Sequence, residues 1–354
     1  MKNKFEYSSE AFLNLFQKFI SLNYKKRRIQ RNGKILTKAS IQNYESLFKV
    51  LKKFFQSKNF SLNFMPLSPK NTRQFLRQKK HWHLFYLEFI DFCFNDLNHF
   101  DNHVGTNLKL LKCFCHWIEA EHGIFTGSFY RDFYVFKEEI PITVLKPEQL
   151  AFLIYDKPFD NMLPNTLKKT KDFFVFGCCV GLRVSDLRAL KKDNLEITKD
   201  AWYLKVYSQK NGTYTKIKLP PCAIDIITRN ENKSTYLFKS KSLVNLNKQI
   251  KQIAEMAGWT YTMPKIRAKR GMPIEIYKND IKKEHYRFCD LLSSHSMRRT
   301  AITTLLSMGM DELSVRKISG HKPGSVEFYK YVKFHQQNLD EKTDRAFEKL
   351  ALKY

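Results

Sequence analysis

Between residue 9 and about residue 140, apolar side chains recur at intervals of three and four. The segments are SEAFLNLFQKFISLNY, SIQNYESLFKVLKKFFQ, RQFLRQKKHWHLFYLEFIDFCFNDL and GTNLKLLKCFCHWIEAEHG. This period predicts four amphipathic helices, the first two opening at a serine suited to N-capping and the last stopping at Gly123. Four such helices make a small bundle. The pattern changes at FKEEIPITVLKPEQLAFLIYD, where Pro141 and Pro147 bracket an extended piece before a new helix. A domain boundary is therefore expected near residue 140, giving domains 1–140 and 141–354.

The second part opens helically and then alternates. In NLEITKDAWYLKVYSQKNGTYTKIKLP, Leu204 and Val206 alternate with polar neighbours, Asn211-Gly212 suits a two-residue hairpin turn, and Thr215, Ile217 and Leu219 alternate on the return. Helical spacing resumes from about residue 242 in SLVNLNKQIKQIAEMAGW. A basic loop or short hairpin, PKIRAKRGMPIEIY, then leads to SSHSMRRTAITTLLSMGM. The expected fold class is mainly α with a small antiparallel β-sheet, an N-terminal helical bundle preceding the second domain.

Composition narrows the partner. The 354 residues exceed what one core usually covers. They carry 62 Lys and Arg against 34 Asp and Glu, a formal charge of +28. That excess points to a polyanion, and its spread along the whole chain favours nucleic acid over a membrane surface. The longest strongly apolar run, FFVFGCCVGL, is too short to span a bilayer, and MKNKFEYSSEAF has no apolar signal core. The expected location is the cytoplasm. Seven cysteines, an odd number without repeated metal-ligand spacing, read as reduced and mostly buried. Cys113 and Cys115 form a CxC with no companion ligands, so no metal site is expected. The basic cluster YKKRRIQRNGK, with Lys25, Lys26, Arg27, Arg28 and Arg31, reads as a solvated loop well placed to touch phosphates.

The candidate chemistry lies in the second domain. FGCCVGLRVSDLRAL reads as a helix, a break at Gly181 and a second helix capped by Ser185, which puts Arg183 at a corner where an anion is favoured. Asp186 is placed to steady a guanidinium there. His295 and Arg298 in HSMRR share a helical face beside an apolar stripe of Met297, Ala301, Leu305 and Met308. A further helix starts at a capping Asp311 and stops at Gly320, so His321 is held by a backbone turn.

GLRVSDLRAL, a hairpin bearing Lys210, HSMRRT, SGH and a tyrosine in FYKYVKF, in that order, resemble the phage-integrase family of tyrosine recombinases. The ending and the NKQIKQIAEMAG helix look most like integrases of Bacteroidetes-type mobile elements. The resemblance implies that 141–354 is the catalytic integrase domain and 1–140 a SAM-like core-site DNA-binding domain. It implies cleavage and rejoining of DNA through a covalent 3′-phosphotyrosyl intermediate, with no metal or nucleotide cofactor. Arg183 and Arg298 would clamp the scissile phosphate, His295 and His321 would assist from either side, and Lys210 would protonate the leaving 5′-oxygen. Lys216, on the returning strand, is the alternative lysine. The implied partners are double-stranded DNA and a homotetramer on paired sites, with a DNA-bending host protein or an excisionase as accessory classes. The implied location is the nucleoid of a bacterial cytoplasm. The segment NLDEKTDRAFEKLALKY is either a helix that docks on a neighbouring subunit or an ordinary tail. Two other readings stay open, a type IB topoisomerase and a DNA-binding protein that has lost catalysis.

Two tyrosines compete for the nucleophile. Family members commonly place it nine residues after the histidine, whereas Tyr329 and Tyr331 fall eight and ten after His321. In a helix capped by Ser325 the two point about 200° apart. Phe328, Tyr329 and Val332 fit a buried stripe, which makes Tyr329 the packing residue, and this together with the YVK context selects Tyr331.

Overall fold

The computed structural model describes residues 8–30, 32–62, 72–208, 212–231, 233–239, 241–336, 343 and 347. In chain order its main elements are α1 (Ser9–Tyr24), α2 (Lys38–Ser57), α3 (Thr72–Asp91), α4 (Asp101–His122), α5 (Pro147–Tyr155), α6 (Lys157–Met162), α7 (Asn165–Val180) and α8 (Val184–Arg188). There follow β1 (Leu195–Ile197), β2 (Trp202–Ser208), β3 (Thr213–Lys218), α9 (Pro221–Arg229), α10 (Leu243–Met256), β4 (Thr262–Met263), β5 (Lys265–Lys269) and β6 (Met272–Ile276). The last are β7 (Tyr286–Arg287), α11 (Phe288–Leu291), α12 (Ser294–Ser307), α13 (Glu312–Ser319) and α14 (Val326–Gln336). The fold is mainly α with small antiparallel sheets.

The chain divides into two compact units, residues 1–140 with 266–276, and residues 141–265 with 277–354. The stretch 266–276 follows the second unit's helices in sequence yet belongs to the first.

Helices α1 to α4 bury an aromatic core that includes Phe12, Phe16, Phe19, Phe54, Trp82 and Phe114, with the Phe16 and Phe114 rings 4.2 Å apart at their centroids. The caps are Ser8, which accepts from the Ala11 amide, and Thr37, which accepts from Ser40, so both helices start slightly before the serines expected as caps. α4 ends at Gly123 in the left-handed conformation, φ 65°. Gly105 on α4 leaves no room for a side chain, since a Cβ there would stand 1.9 Å from the Phe136 carbonyl oxygen.

The hairpin β5–β6 turns on Arg270 and Gly271, both at positive φ, as a tight two-residue turn requires. Two buried carboxylates receive it. Asp101 accepts from the Arg270 and Gly271 amides at 2.7 and 2.8 Å. Glu138 accepts from Arg267 Nε at 3.1 Å, Arg267 Nη2 at 2.6 Å and the Ala268 amide at 2.6 Å. Burial pushes the Glu138 carboxyl up, but the bonds from Arg267 and Ala268 prevail and hold it below the usual carboxylate range.

In the second unit α7 is buried on nearly every side from Leu167 to Val180, which explains its unbroken apolar run. It packs closely on α12 at Gly177, where a Cβ would stand 2.5 Å from Met297 Sδ and 3.0 Å from Met297 Cβ. The sheet β1–β2–β3 is antiparallel, with Leu204 opposite Ile217 and Val206 opposite Thr215 on its inner face. Lys205 and Lys216 face each other outward and share Glu196 at 3.1 and 2.8 Å. A smaller core joins Ile302, Leu306, Val315, Phe328 and Val332. Met308 follows the end of α12 and is 69% exposed, so it leaves the buried stripe expected to contain it. All seven cysteines are free thiols.

Candidate active site

Three separated stretches of the second unit supply the site. The first is the corner after α7. Gly181 caps that helix at φ 65°, and the chain turns so that Arg183, rather than Ser185, stands at the N-cap of α8. Ser185 is one residue into the helix and donates toward Asp186. The second stretch is α12. Arg298, only 6% exposed, donates from Nη1 to the Gly181 carbonyl at 2.9 Å, so a helix C-terminus, with its partial negative charge, anchors a buried cation. His295, three residues earlier, is exposed in the first turn of α12, so the two residues of the expected pair sit in different surroundings.

The third stretch is the turn after α13, which is capped by Asp311 and ends at Gly320 with φ 62°. A Cβ at Gly320 would stand 3.3 Å from the hydroxyls of Thr213 and Thr215, so this turn lies against the inner face of β3. His321 donates its amide to the Arg316 carbonyl, and its ring is held on two sides. Ser319 Oγ lies 2.8 Å from Nδ1, and Arg298 Nη2 lies 3.1 Å from Nδ1 and 3.0 Å from Nε2. The Ser319 hydroxyl gives its single hydrogen to the Val315 carbonyl at 2.7 Å. This network assigns the Nδ1–H tautomer, in which Nδ1 donates to Ser319 and the Nε2 lone pair accepts from Arg298.

Electrostatics follow from burial. The His321 pKa is driven down to about 3, first by burial and then by the charges of Arg298 and Arg183, so the ring is neutral at physiological pH. Arg298 is lowered to about 10, again by burial first and then by Arg183, and it keeps its charge. The Tyr331 hydroxyl and Asp186 act on it in the opposite sense. Arg183 thus disfavours the charge on Arg298, which is itself largely desolvated, and an oxyanion beside Arg298 would relieve that cost.

Tyr331 on α14 is partly buried against the small core formed by α12, α13 and α14, with its ring centroid 6.0 Å from that of His321. Tyr329 is 49% exposed. The packing reverses the stripe expected from sequence: Phe328 and Val332 are buried as foreseen, but Tyr331 packs beside them and Tyr329 does not. Lys210 and Arg31 lie outside the described residues, as does the C-terminal segment from residue 338 apart from positions 343 and 347. Lys216 faces away from the inner side of its sheet. In the first unit Lys25, Lys26 and Arg27 are exposed, whereas Arg28 lies over the Phe19 ring and pairs with Glu121 at 3.0 Å. Sequence reasoning missed Ser319, although its place two residues before His321 was the available signal.

The comparisons with known proteins agree with this architecture. No curated protein matches the sequence. Among solved structures, a lambda integrase dimer bound to a COC′ core site matches with a TM-score of 0.56 at 13% identity, over 90% of this chain and 76% of that one. The XerH site-specific recombinase bound to palindromic difH substrate matches with 0.55 at 14%, over 95% and 96%. The Tn1549 transposon integrase with circular intermediate DNA matches with 0.51 at 15%, over 90% and 94%. At such identities the likeness shows a shared fold. Residues 162–337, which carry all three stretches of the site, match the model of the phage integrase family and are a domain of that family.

Proposed function

We propose that this protein is a site-specific DNA recombinase that cuts and rejoins strands through a covalent 3′-phosphotyrosyl intermediate and so integrates or excises a mobile element. The reading is carried by one observation: Arg298, a neutral His321 and Tyr331 stand together, with Arg183 close enough to act on the charge of Arg298 and His321, although they come from distant parts of the chain.

In the proposed reaction Tyr331 Oη attacks the scissile phosphorus, and the bond to the 5′-oxygen breaks. Arg183 and Arg298 hold the nonbridging oxygens, where a planar guanidinium offers two parallel donors. His321 orients Arg298, Asp186 steadies the arginine pair, and His295 assists proton transfer from the exposed start of α12. Lys210 protonates the leaving oxygen. It is preferred to Lys216 because Lys216 is engaged with Glu196 on the outer face, while Thr213, close to the hairpin turn, neighbours Gly320. The phosphotyrosyl ester keeps the energy of the broken bond, and a 5′-hydroxyl reverses the attack.

Double-stranded DNA is the proposed substrate, and a tetramer on paired sites is the proposed assembly. The solved relatives include complexes with DNA, among them a lambda integrase tetramer bound to a Holliday junction. Residues 1–140 are proposed to hold the core site, with Lys25, Lys26 and Arg27 facing phosphates. A DNA-bending protein or an excisionase would set direction.

The test is covalent trapping on nicked DNA carrying the element's ends. The unaltered protein and Tyr329→Phe should form a protein–DNA adduct, and Tyr331→Phe should not. Adducts with both variants would overturn the mechanism, and efficient relaxation of plasmid lacking the site would replace recombinase with topoisomerase.

A further inference from the structure

Cys179 and Cys222 have no part in the proposed chemistry, yet their sulfurs lie 3.7 Å apart. Cys179 is in the last turn of α7, and Cys222 follows Pro221 at the start of α9. Both are half-buried, whereas Cys93, Cys115, Cys178 and Cys289 are buried. The helix start favours a thiolate at Cys222, where the Ala223 amide also reaches the sulfur. Its pKa falls to about 7, chiefly through the hydrogen bond from Cys179 and against the effect of burial, while Cys179 is raised by the same bond and by burial. A partly accessible thiolate beside a second thiol is the arrangement of an attacking and a resolving cysteine.

We propose that Cys179 and Cys222 form a two-electron redox site that a hydroperoxide closes to a disulfide, and that closure displaces the Gly181 corner on which the arginine pair is built. The Cys222 thiolate attacks the peroxide oxygen, giving a sulfenic acid and, after protonation, one molecule of water or alcohol. Cys179 sulfur then displaces hydroxide from the sulfenic acid, giving the S–S bond and a second water. Two thiols are oxidised and one peroxide is reduced. The sulfurs must close from 3.7 Å to roughly 2.05 Å. Cys179 is two residues before Gly181, whose carbonyl holds Arg298, and four before Arg183. Movement of this turn therefore reaches both guanidinium groups.

The experiment uses the full chain carrying Cys113→Ser, which removes the exposed thiol. After treatment with hydrogen peroxide, peptide mapping should find a Cys179–Cys222 bridge that dithiothreitol reverses. Amide exchange at residues 181–183 should rise severalfold in the oxidised protein and stay unchanged in Cys222→Ser and Cys179→Ser. Absence of the bridge overturns the redox site, and a bridge without altered exchange overturns its coupling to the corner. Both readouts are taken on protein alone, so a failure of DNA cleavage would count against the proposed function and leave this result standing. Where cleavage is observed, oxidation should lower it about tenfold or more, since a displacement of ~1 Å can cost ~10²-fold.

Discussion

Ser319 Oγ holds Nδ1 of His321 at 2.8 Å while passing its own hydrogen to the Val315 carbonyl. The serine thereby decides which edge of the ring meets Arg298. In Ser319→Ala the ring loses that constraint, and the single-turnover cleavage rate should fall about tenfold, the cost of one hydrogen bond of ~1 kcal/mol or slightly more. Nitrogen chemical shifts of the unaltered His321 should report the Nδ1–H tautomer. The opposite tautomer would refute the assigned role.

Arg298→Lys should reduce strand cleavage by ~10²- to 10³-fold with the fold retained, because an ammonium cannot reach the Gly181 carbonyl, His321 and a phosphate together. Circular dichroism checks the fold, and single-turnover kinetics check the rate. A loss below threefold would remove Arg298 from the phosphate cradle.

The depressed pKa of His321 has a definite sign. The unfolded chain binds a proton near the ordinary value of 6.5, and the folded chain only near 3. Between those values the unfolded state holds more protons, so this residue's contribution to stability is complete above about pH 6.5 and is lost as pH falls toward 3. Urea midpoints measured at intervals from pH 7.5 to 4.5 should decline, and His321→Gln should flatten the decline. Equal slopes in the two proteins would contradict a neutral, partly buried ring.

Gly177→Ala should destabilise the second unit by ~1–3 kcal/mol, because a Cβ there meets Met297 and Leu187 where α7 crosses α12. Cleavage should fall as well, since Arg298 follows Met297 directly. Denaturant unfolding and single-turnover rates test the two effects separately.

Glu138→Gln should cost ~3–5 kcal/mol in the first unit, because it leaves Arg267 beside a buried neutral group. Differential scanning calorimetry on the full chain reads the loss. An unchanged transition would mean that the hairpin is held by its backbone alone.

What could be read from sequence was local. Gly123, Gly181, Gly320 and Asp311 announce helix ends through their own conformational needs, and the alternation around Leu204 and Ile217 announces a hairpin. The misreadings came from tertiary contacts. Tyr331 turns inward because Ile302, Leu306 and Val315, supplied by other helices, give it a surface, which no periodicity within FYKYVKF records. In sequence Arg28 reads as part of a solvated basic loop, because its partner, Glu121, is 93 residues away. Position alone does not give Ser319 its role, which depends on where the following turn puts an imidazole.

The return of residues 266–276 to the first unit bears on synthesis. Glu138 emerges from the ribosome 129 residues before Arg267. At roughly 5–20 residues per second, its carboxylate waits on the order of ten seconds for its counter-ion. The four-helix core can assemble during that interval, but its polar seam stays open to water until most of the second unit has been made. The two units are therefore not successive folding events: the first to begin is completed only when the second is well advanced.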